Sequence, residues 1–244
     1  IQIATPLDFY AVTDHAMFLG LALEAGDTTT PFSQYEVSKS LHNLNADDNK
    51  GVWSLTARLS NFASFVPGTL AGIRAGHISE EVVIDVTRRA WADIINAAEQ
   101  FNDPGRFTTF VAYEYTSSTD DVGNLHRNVF FRGADKLPAV PFSRLNSQNP
   151  EGLWDWMDTL REQGIESLAI PHNSNGSNGQ MFKLEDWAGD PMDNAYAEQR
   201  MRNEPLVEIT QVKGTSDTHP LLSPNDEWAD FEIYKFRVGT LSLI

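Results

Sequence analysis

A chain of 244 residues with 41% hydrophobic residues is long enough to bury one sizeable core, and it contains no cysteine. The absence of cysteine excludes disulfides, thiolate metal sites and a catalytic thiol, so any metal ligands must be histidine, carboxylate or water. A formal net charge of −16 argues against a nucleic-acid partner, and an anionic substrate would need a metal or a local cation. No apolar run is long enough to cross a bilayer, so we expect no membrane partner.

The first predicted strand ends in polar side chains. Residues 7–12 are rich in large apolar side chains, and Pro6 keeps a helix from entering them, which predicts a buried strand. Asp14 and His15 follow almost directly, and in α/β sheets and barrels ligands bind at the carboxyl ends of the strands. We therefore predict His15 as a site residue and Asp14 as the carboxylate that orients its imidazole.

Helices are predicted in the following part of the chain. Residues 52–74 have apolar side chains at helical spacing, and Pro67-Gly68 predicts a break between two helical pieces. Ser79 predicts the cap of a further helix that carries glutamates in its first turn and runs to about Phe101.

The next two strand-like runs form a hairpin by their pattern. Residues 107–115 are β-branched and aromatic and carry Glu114 near their end, and a tip rich in glycine and aspartate separates them from residues 125–132. A hairpin of this kind brings His126 close to the end of the strand that carries Glu114. A chance histidine in the hairpin remains the alternative.

A third strand also ends in histidine. Asn149 predicts a helix cap, with Pro150 at the first helical position and a helix running to Gly164. Residues 165–171 then predict a short strand followed directly by His172 and by a loop rich in asparagine and glycine.

The last third of the chain also alternates between helical and strand-like stretches. A polar helical stretch over 184–203 has a break at residues 189–191, and a fourth strand over 206–212 ends at Lys213. His219 lies in the proline-rich loop that follows, and an amphipathic stretch from Trp228 to Arg237 comes last. The alternation of helices and strands predicts one α/β domain over 1–244, with a parallel sheet or barrel and right-handed crossovers.

Four strand-linked positions stand out, namely His15, Glu114, His126 and His172, with Lys213 as a possible fifth participant. Each histidine alone is more often structural, but four such groups at successive strand ends indicate a site. Imidazoles with a carboxylate suit a divalent metal, which lowers the pKa of bound water and polarises an ester or phosphate oxygen. A Ser-His-Asp hydrolase is the competing chemistry, but the sequence has no Gly-x-Ser-x-Gly elbow and no phosphate-binding loop of the Walker or Rossmann type.

These motifs resemble those of the PHP (polymerase and histidinol phosphatase) superfamily. The resemblance covers the second motif, the carboxylate motif, the histidine after it and the later Pro-His motif, as Phe9-Tyr-Ala-Val-Thr-Asp-His15, Tyr113-Glu114, Leu125-His126 and Ile170-Pro-His172. The surrounding strings, such as Tyr-Glu-Tyr-Thr-Ser-Ser and Pro-His-Asn-Ser-Asn, resemble an uncharacterised bacterial branch of that superfamily, a domain of unknown function.

The resemblance implies a distorted (β/α)7 TIM-type barrel with a two- or three-metal cluster of Mn, Fe or Zn, and hydrolysis of phosphoesters. It implies four metal ligands, which are His15, Glu114, His126 and His172. Lys213 and His219 have no ligand counterpart, so they contact substrate or serve the structure of their loop.

The resemblance also implies two motifs that this sequence does not contain. The opening His-x-His would lie before Ile1 and the closing Asp-x-His beyond Ile244, so we expect an incomplete barrel fragment that is truncated at both ends. Such a fragment is expected to bind metal weakly or not at all, and to be inactive alone.

Two other functions remain open at this point. A non-catalytic module that binds a carbohydrate or another ligand would suit the six tryptophans, and the same metal centre can serve hydrolysis of an amide or a sulfate ester. Divergence of His15, Glu114 and His172 in a structure would exclude the enzyme hypothesis. We expect a small anionic substrate and a soluble protein of the bacterial cytoplasm or periplasm, with the compartment and oligomeric state undecided.

Overall fold

The computed structural model describes residues 5–42, 44, 46–47, 51, 54–120, 123–221, 223–231 and 233. The chain divides into two compact units, Phe18–Asn96 on one side and Ile1–Met17 with Ala97–Ile244 on the other. The single domain predicted over 1–244 stays a prediction, because two compact units can belong to one domain.

The unit Phe18–Asn96 is helical. It contains α1 (Leu21–Gly26), α2 (Leu55–Arg74) and α3 (Glu80–Phe101) up to Asn96, with 3-10 turns at Phe32–Gln34 and Glu36–Leu41. Their core consists of buried apolar side chains, which are Leu21, Ala25, Phe32, Leu41, Phe65, Ile78, Val83 and Val86. The helix predicted after Ser79 is confirmed, with Glu80 and Glu81 in its first turn and its end at Phe101. No described helix is both long enough and apolar enough to span a bilayer.

The predicted break at Pro67 is wrong, because α2 continues through it as one helix of 20 residues. A proline inside a helix removes one backbone hydrogen bond and strains the preceding turn. Phe65 and Thr69 are buried on either side of Pro67, so packing holds both halves of the helix in place. Tertiary burial therefore outweighs the local penalty here.

The other unit contains two sheets that bear on the site. The first is the parallel pair of β1 (Phe9–Ala11) and β2 (Thr108–Phe110). The second is antiparallel, in the order β3–β4–β5, with β3 at Ala112–Tyr115, β4 at Arg127–Phe131 and β5 at Ser167–Pro171. The α/β class and the hairpin are confirmed, whereas the parallel-sheet prediction holds only for β1 and β2. None of the described sheets closes into a barrel, so the barrel stays a prediction.

The opening strand is shorter and more exposed than predicted. β1 has three residues, and Phe9 and Tyr10 are 67% and 51% exposed. Apolar composition therefore did not ensure burial of this strand, which pairs with β2 alone within the described sheets. The single strand predicted over 107–115 is likewise two strands, of which β2 pairs with β1 and β3 pairs with β4.

Two helices lie in the same unit. α4 (Pro150–Glu162) begins as predicted, with the Asn149 side chain accepting a hydrogen bond from the Glu151 N–H over 2.9 Å. α5 (Asn194–Asn203) covers only the end of the predicted helical stretch and is capped by Asp193. The fourth strand reduces to β6 (Thr210–Gln211), paired with β7 (Gly214–Thr215). Half of the predicted stretch from Trp228 to Arg237 lies outside the described residues.

Candidate metal centre

The antiparallel sheet brings three of the predicted ligands to one face. Glu114 lies on β3 directly opposite Asn128 of β4, so these two side chains share a face of the sheet. The pairing continues beyond the strand ends, because the His172 N–H donates to the carbonyl of His126 over 3.2 Å. Side chains alternate along a strand, so His126 and His172 lie on the same face as Glu114.

These three side chains converge on the Glu114 carboxylate. His126 Nδ1 lies 2.6 Å from Glu114 Oε1, and His172 Nε2 lies 3.7 Å from Glu114 Oε2. One candidate ligand atom from each residue lies within 4.8 Å of the other two. All three residues are buried, at 8% exposure or less. The group can therefore hold a metal ion.

His15 joins this group from its exposed side. A parallel bridge places His15 beside Glu114, with the Glu114 N–H donating to the carbonyl of Asp14 over 2.8 Å. His15 Nδ1 lies 3.1 Å from Glu114 Oε1 and 2.5 Å from Thr116 Oγ1. The side chain of His15 is 43% exposed, so it forms the edge of the cluster towards solvent. His15 and His172 each approach Glu114, at 3.1 Å and 3.7 Å, but His15 lies outside the group of three whose ligand atoms all lie within 4.8 Å of one another.

The charge distribution suits a cation. Burial raises the pKa of Glu114, but the hydrogen bonds from His126 and His15 outweigh it and hold that pKa well below its usual range. Burial lowers the pKa of His126, and it lowers the pKa of His172 to about 4. At neutral pH the group therefore presents one carboxylate and two neutral imidazoles, the protonation states that metal coordination requires. His15 differs, since its hydrogen bond with Glu114 raises its pKa.

Several polar atoms of this face have no hydrogen-bond partner among the residues that the structure describes. His126 Nε2 and His172 Nδ1 are buried, and the structure describes no partner for either of them. Asn128 Oδ1, which belongs to the residue directly opposite Glu114, is also buried without a described hydrogen-bond partner. A buried polar atom without a partner costs roughly 1–3 kcal/mol, so such atoms mark sites that a ligand completes. Zn, Mn and Fe all bind imidazole and carboxylate ligands, so the residues of this group fit a divalent metal.

Lys213 lies close enough to act on the cluster electrostatically. Burial is the larger cause of the lowered pKa of His126 and His172, and the charge of Lys213 lowers it further; at His15 the same charge only opposes the rise in pKa that the hydrogen bond with Glu114 causes. Lys213 occupies the turn between β6 and β7, and its carbonyl accepts a hydrogen bond from Asn175 Nδ2 over 2.8 Å. The asparagine-rich loop after His172 thus fixes the turn that carries this cation.

The other two predicted catalytic residues make different contacts. Asp14 raises the pKa of His15 through its charge, but within the described contacts Glu114 and Thr116, not Asp14, hold the His15 ring nitrogen. His219 is exposed, and its Nδ1 accepts a hydrogen bond from the Leu221 N–H. No described contact joins His219 to the cluster, and its catalytic role stays a prediction.

The sequence reasoning missed residues that position the ligands. Thr116 is buried, and its hydroxyl donates to Glu114 Oε1 over 2.9 Å while contacting His15. Asn124 accepts from the His126 N–H over 2.8 Å and donates to Asn173 Oδ1 over 3.2 Å, which joins the segments before His126 and after His172. The signal for Thr116 was its spacing, since the second residue after Glu114 lies on the same face.

The chain matches a protein-family model over residues 1–242, described as "Protein of unknown function (DUF3604)". The chain belongs to this family. No curated protein and no solved structure matches it. Membership in DUF3604 confirms the predicted domain of unknown function, while the resemblance to the PHP superfamily stays a prediction.

Proposed function

We propose that this DUF3604 chain forms the metal-binding core of a metal-dependent hydrolase that cleaves phosphoesters. The observation that carries the proposal is the buried group of Glu114, His126 and His172, in which two imidazole nitrogens have no described partner. A purely structural cluster would satisfy those nitrogens, since most buried polar atoms in folded proteins have a partner.

The proposed roles follow from position and exposure. Glu114, His126 and His172 would hold a divalent metal, with His15 as a fourth ligand from the solvent side. A divalent metal bound there supplies Lewis-acid chemistry, lowering the pKa of a water molecule and polarising a phosphoryl oxygen. Because Glu114 and Thr116 engage His15 at Nδ1, its Nε2 is the nitrogen available for binding.

The choice of an anionic ester rests on local charge. The chain carries a formal net charge of −16, so an anion approaches this surface only where cations offset the repulsion. Lys213, in the turn between β6 and β7, supplies one such cation, and its charge acts on the histidines of the cluster. A Lys ammonium binds phosphate as a point charge without requiring a bidentate geometry.

Metal titration and an ester screen test the proposal. Purified chain is titrated with Mn²⁺ and Zn²⁺ and assayed on p-nitrophenyl phosphate, bis(p-nitrophenyl) phosphate, p-nitrophenyl sulfate and an anilide. The buried group of Glu114, His126 and His172 leads us to expect saturable metal binding and metal-dependent hydrolysis of a phosphate ester, in place of the weak binding and inactivity that the two missing motifs imply. The Glu114→Gln variant is expected to lose both, while Glu166→Gln serves as the matched control because Glu166 has a half-exposed side chain outside the cluster.

The possible outcomes separate the parts of the proposal. Failure to bind either metal would contradict the metal centre itself. Metal binding with hydrolysis of only the sulfate or the anilide would reassign the bond class, and metal binding without any hydrolysis would favour the binding-module alternative. The weak metal binding expected from the missing motifs is tested by the same titration.

A further inference from the structure

A pocket of about 240 Å³ lies in the same unit, against the residue next to His126. Arg127 follows His126 directly, and alternation along the strand turns its side chain to the opposite face of the sheet. The pocket is lined there by Arg127 and Arg200, with Trp154, Trp187, Tyr196 and Glu151 around them. Its volume suits a molecule of one six-membered ring, below the roughly 300–1,000 Å³ of sites for drug-sized ligands.

Two guanidinium groups share one carboxylate beneath this pocket. Arg127 Nε lies 2.5 Å from Glu204 Oε1, and Arg200 Nε lies 3.1 Å from Glu204 Oε2. Trp154 Nε1 also donates to Glu204 Oε1 over 2.8 Å. The side chains of Arg127 and Glu204 are each 2% exposed, and that of Arg200 is 15% exposed. These three side chains carry two positive charges and one negative charge, so their sum is positive, whereas the rest of the pocket lining adds four carboxylates and Lys183.

Part of the hydrogen-bonding capacity of the two arginines is unused. Arg127 Nη1 donates to the carbonyl of Leu125, and Arg200 Nη2 donates to the carbonyl of Met181 over 2.8 Å. Within the described residues nothing accepts from Arg127 Nη2 or Arg200 Nη1. A guanidinium carries five N–H donors in a fixed fork, and this fork matches a carboxylate.

The rest of the pocket lining combines aromatic rings with carboxylates. Trp187 is 47% exposed, and Tyr196 packs edge-on against Trp154 at 5.4 Å between ring centroids. Glu151 anchors Trp187 by accepting its backbone N–H over 2.7 Å. Indole and phenol rings pack on the apolar face of a ring, and carboxylate oxygens accept hydrogen bonds from hydroxyl groups.

We propose that this pocket binds a sugar acid, with its carboxylate at Arg127 and Arg200 and its ring against Trp187 and Tyr196. The excess charge and unused donors of the arginines select the carboxylate. The pocket lining also includes the carboxylates of Asp120 and Asp186. These carboxylates accept hydrogen bonds from hydroxyl groups and repel a second anionic group. This site is separate from the proposed hydrolase function and does not depend on it.

Titrations with small probes test the proposal, using tryptophan fluorescence and calorimetry on the whole chain. Glucuronate is the main probe, glucose lacks the carboxylate, and benzoate keeps the carboxylate on a ring without hydroxyls. We expect saturable binding of glucuronate, weaker binding of benzoate, and binding of glucose weaker by about tenfold or more, since a charge-assisted hydrogen bond contributes about that factor.

Variants assign the binding to this pocket. Arg200→Gln is expected to weaken glucuronate binding by about tenfold or more without strengthening glucose binding. Arg202→Gln is its matched control, because Arg202 lies on the same helix and pairs with Asp158 instead. Trp187→Ala gives a second route if Arg200→Gln fails to fold, with the exposed Trp228→Ala as control.

The proposal is overturned if folded wild-type chain binds none of the three probes, or binds glucose as tightly as glucuronate. Benzoate binding more tightly than glucuronate would overturn the sugar part of the proposal and leave an aromatic acid as the ligand. Unchanged affinity in both Arg200→Gln and Trp187→Ala would place the binding elsewhere and overturn it as well.

Discussion

The two faces of the β3–β4–β5 sheet carry ionic groups of opposite character. On one face, the Glu114 carboxylate is surrounded by imidazoles that are neutral at His126 and His172. On the other face, Arg127 and Arg200 are permanently charged and share the Glu204 carboxylate. His126 and Arg127 are adjacent in the chain, so one step along the backbone separates a metal-type site from an ion-pair network.

The comparison shows how burial acts differently on the two groups. A histidine can lose its charge when it is buried, and the lowered pKa of His172 reflects this. An arginine cannot lose its charge in a protein, so it requires a counter-charge in the structure itself. The arginine face is therefore expected to contribute to stability, and the histidine face to contribute to binding.

The largest expected effect comes from removing the shared carboxylate of the arginine face. Glu204→Gln leaves two buried guanidiniums without an anion and is expected to lower the free energy of unfolding by about 3–5 kcal/mol, as measured by urea denaturation. Glu162→Gln, at an exposed position on α4, is the control and should stay within about 0.5 kcal/mol of the wild type. A Glu204→Gln variant as stable as this control would contradict the contrast between the faces.

The second prediction concerns the histidine face and metal addition. Zn²⁺ or Mn²⁺ at about 100 times its dissociation constant is expected to raise the free energy of unfolding by about 2.7 kcal/mol, because the ion binds the folded chain selectively. Chelation should reverse the shift in thermal unfolding. Mg²⁺ should shift it less, since it prefers oxygen ligands. Equal shifts with all three ions would indicate binding at surface carboxylates instead.

The third prediction separates binding from stability at a single histidine. His172→Leu is expected to reduce metal affinity by about 10–100-fold while changing metal-free stability by no more than about 1 kcal/mol, because it also removes a buried nitrogen without a described partner. Calorimetric metal titration and urea denaturation measure the two quantities. The exposed His77→Leu is the matched control. A large loss of metal-free stability would show that His172 serves the fold.

The sequence predicted the residues of the cluster better than the fold that assembles them. Strand-end position was enough to single out Glu114, His126 and His172, because a hairpin and its neighbouring strand bring such ends together. Strand-end position could not predict that β5 is antiparallel to β4, since the direction of β5 depends on how the chain returns through α4. The exposure of β1 depends on which elements cover it, and periodicity carries no such information.

The arginine face was missed for a related reason. Arg127 stands within an apolar strand pattern, and its partner Glu204 is distant in sequence, so local patterning gives no sign of the pair. Trp154 is a buried aromatic residue of α4, and its indole N–H also donates to Glu204. The buried ion pair of Arg127 and Glu204 can be recognised only when the position of α5 beside the sheet is known.

The smallest expected effect tests the attachment of α5 to α4 by pH. A hydrogen bond from Arg202, assisted by Asn203 and Gln199, lowers the pKa of Asp158 to about 2. An aspartate with a depressed pKa stabilises the folded state above its unfolded pKa of about 3.9, and the contribution is lost as the pH falls through the folded value. The difference in unfolding free energy between wild type and Asp158→Asn should therefore be constant above about pH 4 and shrink towards pH 2. We expect this pH-dependent part to be about 1 kcal/mol or less, because the pair is partly exposed. A difference in unfolding free energy that grows on acidification would contradict the assignment to Asp158. A loss of unfolding free energy as large as that of Glu204→Gln would remove the distinction between the exposed and buried ion pairs of α5.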